Sequence, residues 1–368
     1  MSVFTSRPAL RWLVPAAAAV VVVGGGAAAG TIAASADPTL PDITAAQLLT
    51  DVQNAKVDGM SGTVVQTADL GLPALPGLTG SGGGQSGADL MNLVAGSNTA
   101  RVWYAGEDKA RVALLSKLGE TDVIRNGQDV WVWRSAQNEA AHLTLPQDAG
   151  RDKTPEALPS GVPSTPAEAA DAALKAVDAT TAVTTTGAAR VAGRDAYELV
   201  LTPRDTASLV GQVRLAIDGE KKVPLGVDVY AKGADNPALR VSFQQVSFEV
   251  PDAEQFSFNP PAGAKVTESG AKDLEKAAAE HEKAAEQAAK EAPEGTKVVG
   301  TGWTSVLVAK VPDNDQVTAV TETLPKVSGT WGSGRLLTSA LFSALLTDDG
   351  RVLVGAVAPE KLYEVAGQ

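Results

Sequence analysis

Three consecutive pieces of the chain, GRDAYELVLTPRD (193–205), QVRLAIDGEKKVPLGVDVYAKG (212–233) and PALRVSFQQVSFEVPDAEQFSFNPPAG (237–263), decide how it folds. Apolar residues recur at every second position: Tyr197, Leu199, Leu201; Val213, Leu215, Ile217; Leu225, Val227, Val229; Leu239, Val241, Phe243. Successive side chains of a strand point to opposite faces, so each segment has one apolar face and one face of Glu, Arg, Asp or Ser. Turn residues separate the segments: Pro203-Arg204-Asp205, Asp218-Gly219 and Asp235-Asn236-Pro237. The pattern is an antiparallel meander with one face packed or lined and the other wet.

Composition bounds what such a meander can belong to. The 368 residues are 44% hydrophobic, enough for one large domain or two modest ones. A formal charge of -12 with no basic stripe argues against nucleic acid as a partner, because phosphate backbones are held by clustered Lys and Arg. Cysteine is absent, which excludes thiol catalysis, thiolate metal sites and disulfides. There are two histidines, His142 and His281, too few for most catalytic or metal-site readings.

Residues 1–36 read as a targeting segment. Arg7 and Arg11 precede an apolar run from Trp12 to Val23, and Ala34-Ser35-Ala36 before Asp37 has the small-residue form of a signal-peptidase site. The alternative is an uncleaved N-terminal anchor, since the weakly apolar run approaches the ~20 residues of a spanning helix. Either reading puts the remainder outside the cytoplasm, secreted or tethered at the cell surface. No Cys follows the apolar run, so the chain is not itself a lipoprotein.

Ile43 to Val57 has apolar residues near helical spacing, with Thr44 as N-cap, and a first strand is expected over Ser61 to Thr67. Gly71 to Gly87, including GSGGGQSG, reads as a surface loop; it lacks the Lys and the strand–helix frame of a phosphate loop. From Asn98 to Pro146 runs a second meander, with turns at Gly106-Glu107-Asp108 and Asn126-Gly127. It contains Trp103, Trp131 and Trp133. Trp131 and Trp133 share one strand face and Val130 and Val132 the other, so this strand is covered on both sides. The tryptophans are either core packing or an aromatic lining for an apolar ligand.

Thr165 and Glu168 form a capping box for a short Ala-rich helix with the stripe Ala170, Leu174, Val177, suited to lie on a sheet as a lid. Ala271 to Glu291 is an Ala/Glu/Lys helix with little to bury, a solvated spacer or arm that carries an inert His281. From Thr296 the chain turns apolar again. Asp348-Asp349-Gly350 marks a hairpin, Pro359 opens a closing helix EKLYEVA, and these strands are expected to join or extend the same sheet.

No reaction chemistry emerges. Gly59-Met60-Ser61-Gly62 is not a nucleophile elbow, and Asp313-Asn314-Asp315 starts like a calcium loop but lacks its Gly and distal Glu. Asp348-Asp349 and Glu360 are turn and helix-start residues. The chain is therefore not expected to be an enzyme, nor to hold a metal or cofactor.

With AGRDAYELVLTP (192–203), LAIDGEKKVPLGVDVY (215–230), VSFEVPD (246–252) and FSFNPPAGAKV (256–266) in this order, the chain resembles the LolA-like superfamily of lipoprotein carriers and RseB-type sigma-factor regulators. The resemblance spans about Asp42 to Glu268. It extends, through GTGWTSVLVAK and LLTDDGRVLVGAV, to secreted actinobacterial members identified as outer-membrane lipoprotein carrier homologues. It implies a mainly β, α+β fold: a curved antiparallel sheet forming an incomplete barrel, its concave face covered by helices. The expected organisation is 1–36 signal peptide or anchor, 37–269 half-barrel, 270–295 charged helix, and 296–368 β-rich extension packed on the same domain.

In that superfamily the cavity holds acyl chains, so the resemblance implies a lipid or acylated ligand and only transient membrane contact. The residues expected to line the cavity are Val102, Tyr104, Val112, Leu114, Trp131, Trp133, Leu199, Leu201, Leu215, Val227 and Val229. A charge at Trp131 or Leu215 is then the substitution that should stop uptake. The alternative is a regulator that docks on an anti-sigma factor through the charged helix and the tail from Thr296. A structural protein with a filled core is the third possibility.

Overall fold

A computed structural model describes residues 33–34, 40–72, 96–116, 119–145, 180–270, 296–310 and 323–368. The lid-like helix at 165–178, the Ala/Glu/Lys helix at 271–291, the Asp313–Asp315 motif and most of the Gly71–Gly87 loop lie outside the described residues. Among the described residues no helix is long and apolar enough to cross a membrane.

Helix α1 (Ala45–Asn54) starts at Thr44, whose hydroxyl accepts from the Gln47 amide at 3.2 Å. Thirteen strands form the first sheet: β1 (Ala33–Ala34), β2 (Met60–Ala68), β3 (Gly96–Tyr104), β4 (Lys109–Ser116), β5 (Gly119–Asn126), β6 (Asp129–Arg134), β7 (Glu139–Thr144), β8 (Thr181–Val191), β9 (Arg194–Pro203), β10 (Val210–Asp218), β11 (Pro224–Ala231), β12 (Pro237–Ser247) and β13 (Lys265–Ser269). Their spatial order is β1-β8-β9-β10-β11-β12-β2-β3-β4-β5-β6-β7-β13. The two meanders read from sequence are β9–β12 and β3–β7, and β2 joins them by pairing with β12 on one side and β3 on the other. The sheet is curved, mixed and not closed into a barrel. Among the described strands its one parallel pairing is β13 on β7, which the alternating pattern did not disclose. The two-residue β1 lies within the segment read as a targeting signal and pairs with Arg190 and Ala189 of β8.

β2 and β12 pack backbone to backbone, and this accounts for the glycines of the Gly59-Met60-Ser61-Gly62 stretch. A Cβ at Gly62 would stand 2.4 Å from the Gln245 carbonyl oxygen, and one at Gly59 would stand 2.4 Å from Val250 Cα. Side chains are excluded at both positions by close approach.

The extension from 296 does not join this sheet, contrary to the expectation from its apolar strands. It forms a second, six-stranded antiparallel sheet from β14 (Lys297–Val299), β15 (Val306–Lys310), β16 (Lys326–Gly329), β17 (Gly332–Thr338), β18 (Ser343–Thr347) and β19 (Arg351–Gly355), in the order β14-β15-β19-β18-β17-β16. The physical reason is its own core: helix α2 (Pro359–Ala366) lays Leu362 and Val365 on Val306, Val308, Leu345 and Leu353, all fully buried. The β18–β19 hairpin turns at Asp348-Asp349-Gly350, with Gly350 at φ 80°. A few polar bonds tie the two sheets. Leu209 N–H donates to the Ala356 carbonyl (2.8 Å), Trp303 Nε1 to Thr181 Oγ1 (2.7 Å) and Thr304 Oγ1 to Asp205 Oδ2 (3.0 Å).

Candidate functional site

Strand register assigns every side chain of the first sheet to one of two faces, because directly paired residues share a face. One row runs Leu199–Leu215–Val227–Val241–Gln66–Asn98 across β9, β10, β11, β12, β2 and β3. Beside it runs Leu201–Val213–Val229–Leu239–Ala68. Further along, Val102 pairs with Val112, Val112 with Val123, Val123 with Val132 and Val132 with Ala141. Leu114 pairs with Ala100 and Tyr104 with Ala110 on this same face. The result is an apolar wall from β9 to β7. Its buried polar pair is satisfied internally, Asn98 Nδ2 donating to Gln66 Oε1 at 3.2 Å.

Nine of the eleven residues expected to line a cavity therefore share this wall, and Trp131 and Trp133 do not. The tryptophans point to the opposite face, where the chain following β12 lies over them. Trp131 stacks on the His142 ring (4.2 Å between centroids, 11° between planes), and Phe258 packs 5.3 Å from Trp131 and 5.9 Å from Trp133. Arg111 extends over Trp103 and donates to the Gln255 carbonyl, closing this layer. These aromatics hold the Ala253–Phe258 segment against β4–β6, with Phe256 fully buried. Of the two roles open to them in the sequence, packing is the one their contacts support.

The β9–β10 end of the wall is closed to a ligand, contrary to the expectation for Leu199. Helix α1 already covers it: Leu48, Tyr197, Leu199 and Ile217 form one buried cluster, with Leu201 and Leu215 packed against it. Leu199 keeps 2% of its surface exposed, so it is core and offers nothing to a ligand. The part of the wall that stays half-buried is carried by Val102, Tyr104, Val112, Leu114, Val227 and Val229. Val123, Val130, Val132, Ala141 and Leu143 extend it, and Val123 is 41% exposed. Sequence reasoning missed these five by favouring the larger tryptophans on a strand apolar on both faces. The signal that finds them is the Val130/Val132 alternation itself.

The opposite face of β9–β12 is charged along its middle and, at the Ala196–Ala216 end, occupied by an apolar cluster with Phe248 packed against it. Arg214, Asp228 and Arg240 stand in one row across three strands. Arg240 grips the fully buried Asp228 with two bonds of 2.8 and 2.7 Å, and the Tyr230 hydroxyl adds a third at 3.3 Å. Burial raises the Glu198 carboxyl above the usual range, Arg214 at 3.7 Å opposing the shift. Arg194 likewise clamps the buried Asp218 at the base of the β10–β11 turn. One face of the sheet is thus greasy and half-open, and the other is either charged or occupied.

The first sheet is a curved, mixed, open sheet with one half-open apolar face and few helices, a form consistent with a LolA-like or RseB-type fold. Residues 93–262, which span β3 to β12 and the Ala253–Phe258 segment, match the family described as the MucB/RseB N-terminal domain. Among solved structures the chain is similar to MucB (15% identity over 88% of this chain and 96% of that one, TM-score 0.37). It is also similar to the MucA/MucB complex of Pseudomonas aeruginosa (15%, 88% and 96%, 0.39) and to a LolA superfamily protein of Nitrosomonas europaea (12%, 59% and 99%, 0.20). No curated protein sequence matches it.

Proposed function

We propose that the chain works outside the cytoplasm as a non-enzymatic binding or carrier protein that shelters an acyl chain or lipid on the half-buried wall of the first sheet. The observation that carries this reading is the apolar face that holds Val227 and Val229 at one end and Val102, Val112, Leu114 and Val132 at the other, interrupted between them by the self-satisfied Gln66–Asn98 pair. Each methylene removed from water contributes ~0.8 kcal/mol, so a chain of about ten gains on the order of 8 kcal/mol before ordering costs. Binding by apolar area alone is permissive about the ligand, which suits a carrier. The test is titration with a fluorescent fatty acid. Saturable binding at one or a few sites is expected, and no binding would overturn the proposal.

A second reading rests on the family match: a regulator of the RseB type that docks on the extracytoplasmic part of an anti-sigma factor. MucB has been solved in complex with MucA(peri). In this chain the second sheet offers a surface for such a partner, since Val298 (60% exposed) pairs with Leu307 (45% exposed) on the face away from α2. A neighbouring gene pair for an extracytoplasmic sigma factor and its anti-sigma factor favours docking, and a lipid-export cluster favours carriage. The two readings are compatible if lipid occupancy of the first sheet sets the affinity of the second.

A further inference from the structure

Among the described strands β13 is the last of the first sheet, paired on one side only and in parallel with β7. From it the chain runs on to the second sheet. Its side chains are almost all exposed, so apolar burial holds it weakly. Besides the backbone pairing, two side-chain attachments fasten it to β7. Near its start Lys265 Nζ meets Glu139 at 2.9 Å, and near its end Glu268 Oε2 lies 2.7 Å from His142 Nδ1. The other ring nitrogen, Nε2, lies 2.9 Å from Asp129 Oδ1 on β6.

This geometry constrains the ring. A neutral imidazole has one N–H and one lone pair, whereas a carboxylate only accepts. With an ionised carboxylate at hydrogen-bond distance from each nitrogen, both bonds can form together only when the ring is doubly protonated. Among the described residues the charged groups facing it are Asp129 from β6 and Glu268 from β13, and the Trp131 ring stacks on its face.

We propose that His142 is a proton-operated clasp: doubly protonated, it ties β13 to β6 across β7, and on losing one proton it frees the C-terminal end of β13. β13 is the side that gives way, because β6 is paired on both edges and β13 on one. Burial of the ring opposes protonation, but the bonds to Asp129 and Glu268 outweigh it and hold His142 above its ordinary 6.5. A group raised on folding stabilises fully below its unfolded value, and the contribution disappears as pH rises through the folded value. The clasp is therefore closed in mild acid and opens on the alkaline side of about pH 6.5. Opening adds the end of β13 to the connection between the two sheets and uncovers the edge of β7.

The experiment is a pH series on the intact chain, following the His142 ring nitrogens by NMR and the amide exchange of Thr267 to Ser269. Expected are two protonated ring nitrogens at about pH 6, and protection of Glu268 and Ser269 that falls about tenfold by about pH 8.5 relative to amides in β5. Glu268→Gln should lower the His142 midpoint and flatten the pH dependence, and His142→Gln should leave β13 poorly protected at every pH. Unaltered protection of β5 in each variant reports that the sheet has folded. A His142 midpoint at or below about 6.5, or β13 protection that ignores its titration, would overturn the clasp.

Discussion

Asp228→Ala is expected to lower the free energy of unfolding by about 3–5 kcal/mol, the largest loss of any single substitution on the polar face. Asp228 has no exposed side-chain surface, and Arg240, 13% exposed, gives it two charge-assisted bonds. Removing the carboxylate strips a nearly buried guanidinium of its counter-charge in a place water reaches poorly. The loss then comes from the charge left behind, more than from the pair's own attraction. Replacing both partners by apolar residues, Asp228→Leu with Arg240→Met, should accordingly recover most of it. Urea denaturation is the measurement: the midpoint should fall with the slope unchanged for the single variant and return towards wild type for the double. A single-variant loss under about 1 kcal/mol would mean that water reaches the pair and that it behaves as a surface bridge.

The second large effect is functional. Leu114→Asp puts a carboxylate in the half-buried stretch of the apolar wall beside Ala100, where an acyl chain would have to cover it. Desolvating a charge costs several kcal/mol, so uptake of a fluorescent fatty acid should weaken by roughly 100-fold or more, with the fold retained. Leu215→Asp is the wrong tool despite its place on the wall. Leu215 packs against the Leu48 cluster under α1, and a charge there should unfold the helix from the sheet. Trp131→Phe serves as the control on the opposite face: packing against Phe258 suffers, and uptake should stay within about twofold of wild type. Equal uptake by a folded Leu114→Asp would remove this wall as the site.

How much of this was legible in the sequence follows from what period two can and cannot report. The alternation of Tyr197-Leu199-Leu201 or Leu225-Val227-Val229 is a property of one strand, and the strands it marked are β9 and β11 in the structure. Turn residues such as Asn126-Gly127 and Asp348-Asp349-Gly350 sit at the hairpins they announced. Neighbours in the chain were readable because short turns force them to pair. Distant partners were not. Nothing local says that β2 inserts between β12 and β3, or that β13 returns to lie parallel to β7. The tail's apolar strands looked like more of the same sheet because pattern shows that a face must be covered, without showing by what; α2 was the cover. For the same reason a list of cavity residues read from hydrophobicity mixed both faces at β6. Trp131 and Val132 are each apolar, and only the pairing of Val132 with Val123 and Ala141 shows which belongs to the open wall.

If the wall serves as a carrier surface, the purified chain holds lipid on it. The direct measurement is organic-solvent extraction of the chain purified from Asp37 onward, followed by lipid mass spectrometry and quantification against protein. An acyl-bearing lipid in stoichiometric amount in wild type, and absent from Leu114→Asp, is the predicted result. A protein that carries no lipid and also takes up no fluorescent fatty acid would contradict the carrier, and would leave docking through the second sheet or a purely structural role.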